Sequence, residues 1–146
     1  MTDVRDLIRL DPDPDEYAAI RDEWKRHSLA EDNRDIPGLM STLTPDCVYE
    51  VAQDGRRWEG HTGATAFYTE LLGAFPDVHF DLTHIVIGPQ GVAEEAEATA
   101  THRGRWGTLE PTGQRVRFRV VIFFPWDRGR RKFRGERVWY SITAVE

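Results

Sequence analysis

The alternation of apolar and polar residues is strongest in the second half of the chain, where it predicts four long strands. These strands cover residues 78–87, 92–106, 114–124 and 132–145. Turn-forming residues separate the first pair at 89–91 and the last pair at 127–129. Because short links join antiparallel neighbours, the pattern predicts a long antiparallel meander.

The first half of the chain predicts three helices and one short hairpin. The first helix is expected at residues 15–30, where one face carries Tyr17, Ile20, Trp24 and His27. Further helices are expected at residues 33–43 and 62–74, the latter with Thr62 as its N-cap, and hairpin strands at residues 46–52 and 57–59. Helices that precede a meander predict an α+β fold in which they cover one face of a curved sheet.

The strand at residues 92–106 carries small side chains on the face that should point to the core. Three consecutive positions of that face are Ala96, Ala98 and Ala100, and the next is His102. A core-facing strand is normally filled by Val, Ile or Leu, so the alanines predict unfilled volume beside an imidazole. The alternative is that another element packs closely over the alanines and His102 is a hydrogen-bonded core residue.

The composition fits one globular domain. The chain has 146 residues, a hydrophobic fraction of 40% and an aromatic fraction of 11%, which together argue against disorder. We expect a lead-in over residues 1–13 and the domain over residues 14–146. A net charge of −6 disfavours nucleic acid as a partner, because affinity for phosphate backbones comes mainly from Lys and Arg.

The sequence contains no motif that would bind a metal or a cofactor, and no segment long enough to span a membrane. A single cysteine, Cys47, excludes an internal disulfide and fits a reducing compartment. The histidines have neither HExxH nor His-x-His spacing, and no glycine-rich phosphate loop or nucleophile elbow occurs, so we expect no metal and no cofactor. No apolar run approaches the ~20 residues of a membrane span, and we therefore expect a cytoplasmic protein with no membrane partner.

Several short segments, taken in their order and spacing, resemble the SnoaL-like polyketide cyclase family over about residues 14–145. The segments are Phe75-Pro76-Asp77-Val78-His79-Phe80, Gly60-His61-Thr62-Gly63, Thr101-His102-Arg103-Gly104, Pro111-Thr112-Gly113 and the closing KFRGERVWY. The resemblance implies the cone-shaped fold shared with nuclear transport factor 2. In that fold a curved, mostly antiparallel sheet wraps three helices around one internal pocket.

The resemblance also identifies where this chain departs from the family. In the family's aldol-type cyclases, a catalytic Asp lies on the last strand two residues after the position that matches Glu136, and here that place is Val138. A supporting Asn on the first strand matches Tyr49, and a polar pair late in the penultimate strand falls on Val120 and Ile122. Since a valine side chain can neither accept nor donate a proton, we expect this chain to have the family's fold without the catalytic residues of its aldol-type cyclases.

Three side chains remain as candidates for acid/base chemistry. Alternation places Glu136 and Tyr49 on the inner faces of their strands, and we hypothesise that they converge with His102 in an otherwise apolar cavity. A carboxylate and an imidazole held together there exchange protons near neutral pH, and Tyr49 donates to a developing alkoxide or phenolate. The substrate-binding wall is expected from Trp24, Trp58, Phe80, Trp106, Phe118, Val138 and Tyr140.

Each assignment has an alternative. For Glu136 it is an ion pair with an arginine at the rim of the sheet, and for Tyr49 it is a structural position in the pocket wall. Glu94 shares the inward direction but lies near a hairpin that solvent reaches, so we place it outside the predicted catalytic set.

The predicted function is a cofactor-independent acid/base cyclase of natural-product metabolism, acting on a hydrophobic polyketide-derived or aromatic substrate. The favoured reaction opens an epoxide with a hydroxyl of the same molecule and forms a pyran or furan ether. In that scheme His102 with Glu136 takes the hydroxyl proton, and Tyr49 protonates or hydrogen-bonds the epoxide oxygen. The alternatives are a non-catalytic small-molecule binding module, an isomerase or dehydratase, and an aldol cyclase that uses Glu136 as base.

The resemblance further implies a homodimer formed through the outer face of the sheet. Alternate positions place Val121, Phe123, Trp139 and Thr143 on that face. Neighbouring arginines dilute this apolar area, and dimerisation is expected in spite of them.

Overall fold

The computed structural model describes residues 3–145 of the chain. Its helices are a 3-10 helix at Val4–Arg9, α1 at Pro14–Asp32, α2 at Ile36–Met40 and α3 at Gly60–Ala74. Its strands are β1 at Leu43–Val51, β2 at Arg56–Glu59, β3 at His79–Gly88, β4 at Gly91–Thr101, β5 at Arg115–Asp127 and β6 at Lys132–Ala144.

All six strands form one sheet in the order β2-β1-β6-β5-β4-β3. The strands from β3 to β6 pair as an antiparallel meander, and β1 pairs antiparallel with β2 and parallel with β6. Helices α1 and α3 pack on one face of this curved sheet. The predicted α+β architecture is therefore confirmed.

The inner face of the sheet follows the alternation of the sequence. On β5, Phe118 and Val120 are buried while Arg117 and Arg119 are exposed, and on β6 the buried residues include Glu136. Side chains on alternate positions point to opposite faces of a strand, so the apolar positions had to share one face and carry Glu136 with them. The core lies between this face and the helices.

Two predicted helix boundaries are wrong. The second helix is much shorter than residues 33–43, because the Asp35 side chain caps it by accepting from Gly38 N and the chain is already extended at Leu43. The third helix begins at Gly60 without a side-chain cap, so Thr62 is not its N-cap.

Strand β4 ends at Thr101, five residues earlier than predicted. The Asp77 carboxylate accepts from the backbone N–H and the hydroxyl of Thr101, at 2.6 and 2.7 Å. Beyond that point the backbone N–H groups of Arg103 and Gly104 donate to Ala74 O at the C-terminus of α3, at 2.9 and 3.2 Å. The chain leaves the sheet because it satisfies a carbonyl at the end of that helix.

The 3-10 helix in the predicted lead-in has no buried residues. Met1 and Thr2 lie outside the described residues, and Gln90 Nε2 donates to Leu7 O in the 3-10 helix.

On the outer face of the sheet Val121 and Trp139 are exposed, and the homodimer through that face stays a prediction. Among residues 3–145, the structure contains no helix with the length and apolar character needed to cross a membrane.

Gly135 sets the alignment of β6 beside β1, and its replacement should destabilise the fold. Its φ is +117°, and an added Cβ would lie 1.9 Å from Val48 O. We expect Gly135→Ala to lower the free energy of unfolding in urea by about 3 kcal/mol, through backbone strain and displacement of β1.

The matched control is Gly73→Ala on the exposed side of α3, where an added Cβ meets nothing within 4 Å. That change should raise the free energy of unfolding by roughly 0.5–1 kcal/mol, because alanine loses less backbone entropy in a helix. Equal effects of the two substitutions would contradict this account of Gly135.

Candidate active site

Glu136 places a carboxylate inside the protein, next to Tyr49 in the parallel register of β1 and β6. It is only 4% exposed. One of its oxygens, Oε2, lies 3.0 Å from His27 Nε2 and accepts a hydrogen bond from the Tyr68 hydroxyl at 2.7 Å. Helix α1 therefore supplies the imidazole and helix α3 the phenol that solvate this buried charge.

The two tyrosines form a directed chain that ends on Glu136. The Tyr49 and Tyr68 hydroxyl oxygens are 2.7 Å apart. Because the Tyr68 proton goes to Glu136, the Tyr49 hydroxyl donates to Tyr68. Burial and then the charge of Glu136 raise the pKa of both phenols well above the ordinary value, so they act as hydrogen-bond donors and not as bases.

The orientation of His27 is fixed from its other nitrogen. Its Nδ1 lies 2.7 Å from Thr42 Oγ1, whose own hydroxyl proton is donated to Leu39 O at 2.7 Å. Thr42 can therefore only accept, which places a proton on Nδ1 and directs Nε2 at Glu136. Burial alone would lower the pKa of His27, but the hydrogen bond and the charge of Glu136 outweigh burial and raise it.

A mainly apolar cavity lies beside this cluster and has Glu136 in its wall. Only two other side chains with carboxyl or hydroxyl groups line it, Glu31 from α1 and Tyr140 from β6. The rest of the wall consists of Phe67, Leu71, Val78, Phe80, Ala98, Trp106, Phe118, Val120, Ile122 and Val138. We call this space the inner cavity.

A second, more polar cavity adjoins the inner cavity. The two share the side chains of Glu31, Phe80 and Ile122. The second cavity, here called the outer cavity, is also lined by Trp24, His27, Ser28, Asp32, Leu82, Glu94, Ala96 and Phe124. The alanine face of β4 thus borders both spaces, with Ala98 at the inner cavity and Ala96 at the outer one.

Two further carboxyl groups, those of Glu31 and Glu94, lie near the charged side chain of Glu136. Burial first and then that charge raise the pKa of Glu94 to about 8. The same two causes raise the pKa of Glu31 to about 8. Neither carboxyl has a hydrogen bond or an ion pair within the described part of the chain, so both hold a proton near neutral pH. An acid and a hydrogen-bonded carboxylate therefore face the same inner cavity.

Comparison with known proteins places this chain in a family. The model of the SnoaL-like polyketide cyclase family matches residues 21–137. The chain belongs to this family. No curated protein matches the sequence as a relative.

Solved structures share the SnoaL-like fold at low sequence identity. A candidate SnoaL-like polyketide cyclase from Jannaschia is 19% identical with a TM-score of 0.76, and the match covers 90% of this chain and 91% of that one. AclR, a candidate hydroxylase from Streptomyces galilaeus, is 24% identical with a TM-score of 0.66, over 87% and 76% of the two chains. SalBIII, an epoxide hydrolase/cyclase-like enzyme described in pyran ring formation, is 18% identical with a TM-score of 0.64, over 90% and 96%.

His102 does not join Glu136 in this SnoaL-like domain, and the predicted pairing is corrected. The imidazole is buried with its ring centroid 5.0 Å from that of Phe75. It lines neither cavity, and its Nε2 has no hydrogen-bond partner within residues 3–145. The cause is the register of the sheet: Arg137 pairs with Phe123, which pairs with Ala93, so Glu136 is level with the start of β4 and His102 lies just after its end. The imidazole beside Glu136 belongs to His27.

The other predicted residues divide between the two cavities and the core. Tyr49 is fully buried and is connected to Glu136 through Tyr68. It was predicted to face the cavity, but it lines neither the inner nor the outer one. Trp58 packs on Phe67 with ring centroids 5.1 Å apart and also lies outside both cavities, while Trp24 lines the outer cavity. The inner cavity contains the remaining predicted wall residues, Phe80, Trp106, Phe118, Val138 and Tyr140.

Sequence reasoning missed three residues of the site, namely His27, Glu31 and Tyr68. His27 and Glu31 are four residues apart and therefore share one face of α1. The available signal was a titratable residue on the apolar face of a predicted helix, which the sequence shows at His27. Tyr68 lay within the apolar pattern of α3 and had no local feature that set its hydroxyl apart.

Other reactive groups are arranged unfavourably for chemistry. Burial and then the charge of Asp46 raise the pKa of the Cys47 thiol to about 11, so little of the nucleophilic thiolate forms at neutral pH. Within the described residues, no three His, Cys, Asp or Glu side chains are grouped as a metal site would require.

The raised pKa values of Glu31 and Glu94 predict a loss of stability with rising pH. In the unfolded chain these carboxyls ionise near 4.5, and in the folded chain near 8. The folded state binds more protons between these values, so the free energy of unfolding falls as pH rises from about 4.5 to about 8. Glu31→Gln and Glu94→Gln should each raise it at pH 8, by on the order of 1–2 kcal/mol, and change it little at pH 4.5.

Urea titrations at several pH values measure this effect. Glu97→Gln is the matched control, since Glu97 lies on β4 with its side chain 43% exposed beside Arg119. A parent and variants with the same dependence of stability on pH would contradict the assignment of protonated carboxyls.

Proposed function

We propose that this SnoaL-like protein is a cofactor-independent acid/base cyclase that opens an epoxide with a hydroxyl of the same substrate. The observation that carries the proposal is the pairing of two carboxyl groups in one apolar cavity. Glu136 is a carboxylate supported by His27 and Tyr68, whereas Glu31 has a pKa of about 8 and holds its proton. Different environments give two chemically equal groups opposite roles.

Glu136 acts as the general base in this mechanism. It takes the proton of the attacking hydroxyl while that oxygen forms a bond to one epoxide carbon. His27 Nε2, 3.0 Å away, donates to the carboxylate and holds its charge in place until Glu136 takes the proton. Tyr68 holds the carboxyl in place by donating to the same oxygen, Oε2.

Glu31 acts as the general acid. As the epoxide carbon–oxygen bond breaks, the Glu31 carboxyl donates its proton to the departing oxygen, which becomes a hydroxyl. The product is an isomer of the substrate, and passage of the proton from Glu136 back to Glu31 completes the cycle without any co-reactant. This assigns to Glu31 the part expected earlier of Tyr49, whose hydroxyl is committed to Tyr68.

The walls of the inner cavity fold the substrate. Its apolar residues suit a polyketide-derived or aromatic skeleton, and they hold hydroxyl and epoxide in one attack geometry, which can supply ~7–11 kcal/mol of the barrier in favourable cases. Few polar groups are present to hold a competing water. The description of SalBIII in pyran ring formation supports the same class of reaction.

An isomerase is the second candidate, favoured by the protonated carboxyls of Glu31, which lines both cavities, and Glu94, which lines the outer cavity. Such groups also donate hydrogen bonds to an enolate oxygen while Glu136 moves a proton between carbons. Deuterium uptake from D₂O into an enone, without ether formation from an epoxy alcohol, would select this reaction.

Substitution of the two carboxyls tests the proposed cyclase. With an aryl-substituted epoxy alcohol as substrate and mass-resolved chromatography as the assay, Glu136→Gln should lower kcat by ~10²–10⁴ because the general base is lost. Glu31→Gln should lower it by ~10² or more, since the departing oxygen must leave without a proton. Glu97→Gln is the control and should keep the parent rate. Parent-like rates in both cavity variants would rule out the mechanism.

The pH profile of kcat gives an independent test of Glu31. Only the protonated form donates, so the rate should fall as pH rises through about 8. The residual rate of Glu31→Gln should lack this alkaline decline, because its amide does not titrate. An unchanged decline in that variant would assign the decline to another group.

A further inference from the structure

A second polar group, the hydroxyl of Tyr140, faces the inner cavity from a position further along β6 than Glu136. Tyr140 lies four residues after Glu136 on the same face of β6, which separates their Cα atoms by roughly 13 Å at the rise of a strand. Between them the cavity wall is apolar and includes Val138 and its β5 neighbour Ile122. The cavity therefore has a reactive group at Glu136 and a second polar position further along β6.

The Tyr140 hydroxyl is arranged as a donor. Its oxygen accepts a hydrogen bond from Trp106 Nε1 at 2.9 Å. No acceptor for the hydroxyl proton lies within hydrogen-bonding distance among residues 3–145. A hydroxyl that already accepts a hydrogen bond is polarised and donates more strongly. The proton of Tyr140 is thus free for an oxygen atom in the cavity.

The side chain of Gln53 fixes the backbone of Tyr140. Its Nε2 donates to Tyr140 O and its Oε1 accepts from Tyr140 N, both at 2.8 Å. These are the two hydrogen bonds that a neighbouring strand would make, and they occur just beyond the end of β1 at Val51. Gln53 continues the ladder with a side chain and is a positioning residue for Tyr140.

Trp106, the partner of Tyr140, is itself held from outside the cavity. The Arg56 guanidinium lies 4.6 Å from the centre of the Trp106 ring and is paired with Asp54 at 2.9 Å. A cation over an indole face restrains the ring. The donor further along β6 is therefore preorganised through two contacts, Gln53 to its backbone and Trp106 to its hydroxyl.

We propose that Tyr140, whose Cα lies roughly 13 Å from that of Glu136, is a specificity-determining residue that donates a hydrogen bond to an ether, carbonyl or hydroxyl oxygen of the substrate away from the reacting group. This inference rests on the proposed function and deepens it. The substrate class is then an elongated apolar molecule with its epoxide beside Glu136 and an oxygen away from the epoxide. A substrate without that oxygen leaves the Tyr140 proton unpaired and binds more weakly.

Binding of two unreactive ligands tests the inference without relying on turnover. The first is a vicinal diol at the end of a straight chain of twelve heavy atoms, with a methyl ether at the other end. The second is its isostere, in which CH₂ replaces the ether oxygen. An ether oxygen only accepts, so any preference for it reports a donor. Calorimetry should show the parent protein binding the ether about five-fold more tightly, the value of one hydrogen bond.

Variants assign that preference to Tyr140. Tyr140→Phe should bind the two ligands equally and keep the parent's affinity for the isostere. Gln53→Ala should reduce the preference while leaving affinity for the isostere unchanged, which a general loss of structure would not do. Tyr17→Phe is the matched control, since Tyr17 is 48% exposed on α1, and it should keep the full preference.

The outcomes separate this inference from the proposed function. A parent protein that shows no preference, or does not bind the ether, overturns the role of Tyr140 whether or not any variant folds. A preference that persists in Tyr140→Phe also overturns it. If the preference depends on Tyr140 but no epoxy alcohol is converted, the oxygen-binding position stands and the proposed reaction fails.

Discussion

The structure depends on the solvation of one buried carboxylate. Removing a charge of the size of Glu136 from water costs several kcal/mol even after relaxation, and only hydrogen bonds in good geometry offset that cost. The donors come from separate elements, with His27 on α1 and Tyr68 on α3, while β1 adds Tyr49 behind Tyr68. Apolar packing alone leaves many ways to place helices on a sheet. These hydrogen bonds select one of them.

The charge of Glu136 also determines which carboxyl groups of the site are protonated acids and which one is the base. Glu31 and Glu94 lie close enough to Glu136 for its charge to oppose their ionisation, and unlike Glu136 they have no donors within the described chain. One set of hydrogen bonds therefore determines two properties. It keeps Glu136 able to accept a proton, and through the resulting charge it keeps its neighbours protonated. As a consequence, the free energy of unfolding falls as pH rises.

The sequence predicted the sheet well because a strand's period of two is a local property. The inward direction of Glu136, of Ala98 and of the apolar residues of β5 followed from alternation alone. His102 was misplaced because alternation gives the face of a side chain but not its level along the sheet, and the strand register puts Ala93, not His102, level with Arg137. His27 was visible on an apolar helix face, but only the tertiary structure places it beside Glu136.

Val138 marks the position on β6 where the resemblance implied a catalytic carboxylate, whereas in this chain the proposed base lies two residues earlier on the same strand and the proposed acid, Glu31, on α1. At that position the side chain lines an apolar part of the inner cavity, whereas Glu136, two residues earlier, is close enough to α1 and α3 to receive their donors. A carboxylate at 138 would lie beside Ile122 in the apolar wall without such donors and would resist ionisation. The position of a base along the strand thus decides whether helices can stabilise its charge. In this chain that requirement moves the chemistry from the strand to the junction of helix and sheet.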